Sequence, residues 1–273
     1  MSHLNFHYFY IKPILLIVKN WSQLYTFELK NTAMKIAIIG YGKMGKAIGQ
    51  LAEKQGHEIV VAINSANKKH IEHLNDYKPD VAIEFSTPLS AVSNLEKLIQ
   101  QQIPVVCGTT AWHDQYDHIC KLTKDYDSAL LYASNYSVGM NLMFRMNEQL
   151  AKVMSKFDSY QPSITEIHHI QKLDAPSGTA VTLAEQIIQE QSRIDKWELD
   201  EASSGTMAIK SLRKGKIIGT HHVEYKSETD NITLSHEAHN RNGFVAGALL
   251  AAEYLHTRKG IYTMQDVLSW TLK

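Results

Sequence analysis

The stretch Met34-Lys35-Ile36-Ala37-Ile38-Ile39-Gly40-Tyr41-Gly42-Lys43-Met44-Gly45 decides how this chain folds. The apolar run to Ile39 reads as a buried strand. The pattern G-x-G-x-x-G follows it directly, and residues 43–55 then set Met44, Ala47, Ile48, Leu51 and Ala52 on one helical face. In that setting Gly40 permits a tight turn, Gly42 lets a pyrophosphate approach the backbone, and Gly45 lets the helix lie close on the strand. The first amides of the helix and the positive end of its dipole suit the phosphates. A bare strand–helix turn is the plainer reading, but the pattern meets the dinucleotide fingerprint in its required context.

Outward from this unit, short apolar runs alternate with amphipathic stretches. Strands are expected at 58–63, 80–85, 104–107 and 129–132, and Pro88 starts the helix after the third strand. Nearly all-apolar strands alternating with helices predict an α/β fold with a parallel sheet covered on both faces. Beyond Gly139 the alternation stops. A helix over 141–154 leads to a strand near 163–168 and a helix after Gly178. Strand-like runs at 207–212, 216–225 and 231–235 then follow without intervening helices. This predicts a second, α+β domain with a mixed or antiparallel sheet. A small-residue helix over 244–257 is expected to pack back on the first domain. The division predicted is a dinucleotide-binding domain at 34–138 completed by 245–273, and a substrate-binding and oligomerisation domain at 139–244.

Residues 1–33 differ from the rest. Their apolar run is broken by Lys12 and Pro13 and falls far short of a membrane span of about 20 residues. It also lacks the basic start and cleavage site of a signal peptide. They read as an appendage, with Met34 the start of the fold, in keeping with the poor ordering of untethered termini.

At 273 residues the chain can bury a substantial core, and 28 basic residues balance 28 acidic ones. No global basic field points to nucleic acid or an anionic membrane. Two cysteines, Cys107 and Cys120, are too few for a disulfide framework and fit a reducing cytoplasm.

The segment Glu166-Ile167-His168-His169-Ile170-Gln171-Lys172-Leu173-Asp174-Ala175-Pro176-Ser177-Gly178-Thr179-Ala180 carries the chemistry. Ser177 or Asp174 can cap a helix starting near Gly178, leaving the amides of Gly178 and Thr179 open to a carboxylate. Lys172 adds a matching cation. His168 can exchange a proton near neutral pH. Adjacent in a strand, His168 and His169 would point to opposite faces, so the chain must bend for both to line one pocket. A capped helix beside two surface histidines would explain only part of this. The other histidines raise the question of zinc. However, His236-Glu237-Ala238-His239 is H-E-x-H, not the H-E-x-x-H that aligns two imidazoles on a helix, and no metal site is expected.

The second strand ends at Asn64, where a carboxylate would bind a ribose 2′-hydroxyl. With no acid there and Lys68 and Lys69 nearby, NADPH is favoured over NADH, although the two lysines serve equally well as a solvated face. Gly108-Thr109-Thr110 and Ala133-Ser134-Asn135-Tyr136 follow the fourth and fifth strands, at the edge where ligands of such sheets bind.

These residues, in this order, resemble the 4-hydroxy-tetrahydrodipicolinate (dihydrodipicolinate) reductase family of the diaminopimelate route to lysine. Residues 166–180 meet the family signature E-x-H-H-x-x-K-x-D-A-P-S-G-T-A in full. The likeness begins at Met34 and includes Asn135-Tyr-Ser-Val-Gly139 and Asn240-Arg-Asn-Gly-Phe-Val-Ala-Gly-Ala248. It implies a Rossmann-type domain, NADPH or NADH as cofactor, a small dicarboxylate substrate and a homotetramer. By the same resemblance His168 is the proton donor and acceptor, Lys172 the second proton donor, and His169, Gly178 and Thr179 hold the substrate's carboxylates. It also assigns the cofactor to Gly40, Tyr41, Gly42, Lys43, Met44, Gly45, Gly108, Thr109, Thr110, Ala133, Ser134, Asn135 and Tyr136. The glycine loop is one residue shorter than the family's common form and lacks its arginine, and Ile170 stands where many members have a basic residue. An amino-acid or sugar dehydrogenase of similar build, or a regulator that senses NADP, would account for Gly40–Gly45. Neither would account for Asp174–Thr179 beside His168 and Lys172.

Overall fold

The computed structural model describes residues 33–271, so the expectation for residues 1–33 lies, all but its last residue, outside the described residues. Of these, residues 34–271 pack as one compact unit. Its first part alternates as the sequence predicts: β1 (Lys35–Ile39), α1 (Lys43–Lys54), β2 (Glu58–Ile63), β3 (Val81–Glu84), α2 (Pro88–Gln100), β4 (Val105–Cys107), α3 (Tyr116–Asp125) and β5 (Ala129–Tyr132). A 3-10 segment at Lys68–Tyr77 joins β2 to β3. Pro88 opens α2 behind a reciprocal Thr87–Ser90 capping box. The remaining elements are α4 (Val138–Met154), β6 (Gln161–His168), α5 (Gly178–Glu190), β7 (Lys196–Leu199), β8 (Thr206–Arg213), β9 (Gly219–Lys226), β10 (Asn231–Ala238), α6 (Asn242–Leu255), β11 (Gly260–Tyr262) and α7 (Met264–Thr271).

Six strands form a parallel sheet in the order β11-β5-β4-β3-β1-β2. Apolar residues cover both of its faces. One cluster joins Ile36, Ile38 and Val106 to Val245, Ala248 and Leu249 of α6, and the other joins Ala37, Val105 and Leu130 to Leu95 and Leu98 of α2 and Ile119 of α3. The small-residue helix thus packs on the parallel sheet as expected. Gly247 makes that possible, because a Cβ there would stand 1.7 Å from the Tyr136 carbonyl oxygen.

The second sheet is mixed, in the order β10-β9-β6-β8-β7. β10, β9 and β6 run antiparallel, whereas β6, β8 and β7 run parallel. Helices α4 and α5 cover one face through Met143, Phe144, Leu183, Ala184 and Ile187, against Ile164, Ile209, Val223 and Tyr225. Three differences from the sequence reading stand out. Helix α4 starts one turn early, with Ser137 Oγ accepting the Met140 amide at 3.3 Å, because Gly139 in the first turn masks the helical pattern. The short strands β7 and β11 carry too few apolar residues to announce themselves, and α7 was likewise not expected. Among the described residues no helix is long and apolar enough to cross a membrane.

Candidate active site

Because β1 to β5 run parallel, the loops after Ile39, Ile63, Cys107 and Tyr132 all leave one edge of the sheet. The glycine loop there has the form a nucleotide needs. Gly40 has φ +95°, and a Cβ on it would press to 2.2 Å of the Phe85 carbonyl oxygen. A Cβ at Gly45 would meet the Gly40 carbonyl oxygen at 2.3 Å, whereas Gly42 faces open space. No side chain caps the start of α1, so its first amides stay available to phosphates. The residues present therefore fit a dinucleotide.

A cleft of about 820 Å³ begins beside this edge. Met44, Thr110, Ser134 and Asn135 line it together with His168, His169, Lys172, Gly178 and Thr179. The two groups of residues singled out in the sequence thus meet. Other residues singled out do not reach the cleft with their side chains. Tyr136 is buried and donates its hydroxyl to the Cys107 carbonyl at 2.7 Å. Thr109 is buried, its Oγ1 accepting the Ser86 amide at 2.8 Å. Asn64 is exposed and folds back, its Oδ1 accepting the Ala66 amide at 2.8 Å.

The bend required by the histidine pair is present, since β6 ends at His168 and both rings line the cleft. Ser177 caps α5, its Oγ accepting the Ala180 amide at 3.2 Å. Gly178 is exposed and a Cβ there would meet nothing, so the helix start lies open. Lys172 is not a free cation, because its Nζ donates to both oxygens of Asp174 at 2.7 and 2.8 Å. Burial raises the Asp174 pKa, but this bond and the charge of Lys172 prevail and hold it below the usual carboxylate value. Burial lowers the His168 pKa, with Lys172 and Arg213 reinforcing it against the opposing pull of Glu166. The ring is therefore neutral at pH 7 and takes up a proton more readily once negative charge enters the cleft.

The sequence reading gave no role to what stands behind His168. Glu166, Ser211 and His221 occupy one row across β6, β8 and β9. Ser211 Oγ, the Ser177 amide and Arg213 Nη2 all donate to Glu166 Oε1, at 2.9, 3.1 and 3.2 Å. One ligand-capable atom from each of Glu166, His168 and His221 lies within 4.8 Å of the others. Strand register creates this cluster, so no linear spacing reveals it.

A parallel sheet bearing a glycine loop, facing a mixed sheet across a cleft that holds histidine, lysine and an open helix start, defines a two-sheet α/β oxidoreductase of Rossmann type. Residues 34–136 match the family model described as "Dihydrodipicolinate reductase, N-terminus", and residues 139–268 that described as "Dihydrodipicolinate reductase, C-terminus". The chain belongs to the dihydrodipicolinate reductase family. It is 45% identical to a 4-hydroxy-tetrahydrodipicolinate reductase of Christiangramia forsetii, over 86% of this chain and 98% of that one. It is 34% identical to the Staphylococcus haemolyticus protein of the same name, over 86% of this chain and 100% of that one. A dipicolinate-bound dihydrodipicolinate reductase from Paenisporosarcina sp. TG-14 has the same fold, with TM-score 0.67 and 23% identity over 85% of this chain and 97% of that one.

Proposed function

We propose that the cleft reduces 4-hydroxy-tetrahydrodipicolinate to tetrahydrodipicolinate, a step on the diaminopimelate route to lysine in the reducing cytoplasm. The observation that carries this is the meeting, in one cleft, of the nucleotide edge of the parallel sheet with His168, Lys172 and the open start of α5. Gly40–Gly45, Thr110, Ser134 and Asn135 would hold a nicotinamide cofactor, which when bound would supply the hydride for C4 of the ring, the ring hydroxyl departing as water with a proton from the cleft. The amides of Gly178 and Thr179 and the side chain of His169 hold the substrate's carboxylates. Those carboxylates draw Lys172 from Asp174, and their charge favours the protonated form of His168. His168 and Lys172 then hold and pass the protons and stabilise the negative charge that develops during reduction.

The finer parts of the reading rest on particular residues. NADPH is favoured over NADH because Asn64 brings no carboxylate to the end of β2 and Lys68 and Lys69 stand nearby. Residues 34–138 with 245–273 bind the cofactor and 139–244 the substrate, with hinges near 138–141 and 244–246 closing the cleft. A homotetramer is supported by large apolar side chains left exposed on α4 and the mixed sheet: Leu142, Met146, Val153, Leu212 and Ile232. The test is oxidation of NADPH and NADH in the presence of the product of dihydrodipicolinate synthase, generated in situ. Substrate-dependent oxidation is expected, fastest with NADPH. No oxidation with either cofactor would overturn the reading.

A further inference from the structure

The row behind His168 points to a device for fixing the state of that ring. Glu166 is fully buried, and three donors hold its Oε1. Its Oε2 is also sealed from solvent and accepts no hydrogen bond among the described residues. It lies 3.5 Å from His168 Nδ1 and 3.8 Å from His221 Nε2. His168 Nδ1 is likewise sealed and makes no hydrogen bond, whereas its Nε2 faces Gly219 of the cleft wall, where an added Cβ would stand 3.1 Å from it. His221 stands edge-on to His168 with ring centroids 5.1 Å apart, and its Nε2 lies 3.4 Å from Ser177 Oγ.

We propose that Glu166 and His221 are positioning residues that hold His168 with its proton on Nδ1 and its Nε2 aimed into the cleft. A carboxylate fixed through one oxygen cannot turn away, so its free oxygen attracts the nearest N–H and sets the tautomer of the ring. His221, opposite Glu166 on β9, closes the other side of Oε2 and keeps water from it. When His168 takes up a proton, the fixed carboxylate stabilises the imidazolium without being protonated itself. The charged and titratable groups facing His168 are Glu166 on its own strand, Lys172 and Asp174 on the turn, Arg213 on β8 and His221 on β9. His236 on β10 lies beyond His221. Among the described residues only Glu166 presents to Nδ1 a sealed oxygen that accepts no hydrogen bond.

The proposal rests on His168 being the proton-handling group of the proposed reaction, and the experiment separates the two. Nitrogen-15 spectra of the full-length wild-type chain should show neutral His168 protonated on Nδ1, a readout independent of activity. In Glu166→Gln the amide can donate to Nδ1, so the proton should move to Nε2. The His168 limb of the kcat–pH profile should then fall by about one pH unit, and kcat at pH 7 by about tenfold or more, with KM changed far less. His221→Asn should shift the same limb in the same direction by a smaller amount. A wild-type ring protonated on Nε2, or a Glu166→Gln profile that does not move, overturns the proposal. If Glu166→Gln fails to fold, the wild-type spectrum alone decides. Full turnover in His168→Gln would instead overturn the proposed function and leave the tautomer result standing.

Discussion

In the proposed reaction the ammonium of Lys172 must be shared between Asp174 and the substrate, because both carboxylate oxygens of Asp174 already accept from it and one N–H is left over. Asp174 is thus both a rest position for the cation and a competing anion at the mouth of the cleft. Asp174→Asn should lower KM for the dicarboxylate several-fold with little change in kcat, measured by steady-state NADPH oxidation. Lys172→Ala and His168→Gln should each lower kcat by about 10²-fold or more, the usual scale of a lost proton donor. At the end of β2, Asn64→Asp should move the ratio of NADPH to NADH efficiency toward NADH, since a carboxylate repels a 2′-phosphate and accepts from a 2′-hydroxyl. That His168 and Lys172 share one cleft could be read from sequence because they crowd one short segment beside a capped helix. Glu166 sat in that segment too, but its partners Ser211, Arg213 and His221 are more than forty positions away and meet it only through strand register.

At the scale of elements, β1, β3, β4 and β5 were readable because these inner strands are buried on both faces and so are nearly all apolar, and β2 because its half-buried run stays apolar from Ile59 to Ile63. The mixed sheet was harder. Its strands alternate, and polar residues such as Glu166, Ser211 and His221 occupy positions that packing alone would fill with apolar ones. The short edge strands β7 and β11 pair only on one side and carry little pattern. Two helix ends invite tests. Ser177→Ala removes the cap of α5 and should cost about 1 kcal/mol of stability, measured by urea unfolding, while also raising KM as the helix start loosens. Gly247→Ala would drive a Cβ to 1.7 Å of the Tyr136 carbonyl oxygen and should cost on the order of 3 kcal/mol, because α6 must lift off the sheet.

For the molecule as a whole, burial and the neighbouring His168 push the His221 pKa down to about 3. The unfolded chain, with an ordinary imidazole near pH ~6.5, binds the proton first. The stability tied to neutral His221 is therefore complete above about pH 6.5 and is lost as pH falls toward 3. His221→Asn should flatten the decline of Tm across that window, as read by calorimetry. Light scattering should give the mass of a homotetramer, with Met146→Lys on the exposed face of α4 shifting it to smaller species. The packing of α6 and β11 has a further consequence, in time rather than space. β11 closes the edge of the parallel sheet beside β5, and α6 seals the face beneath β3 and β4, yet both follow the entire mixed sheet in the chain. During synthesis the parallel sheet therefore lacks an edge strand and a covering helix until residues 242–262 are made. Nucleotide binding by a growing chain, followed by cofactor retention on stalled ribosomes, should thus appear only after residue 262 has emerged.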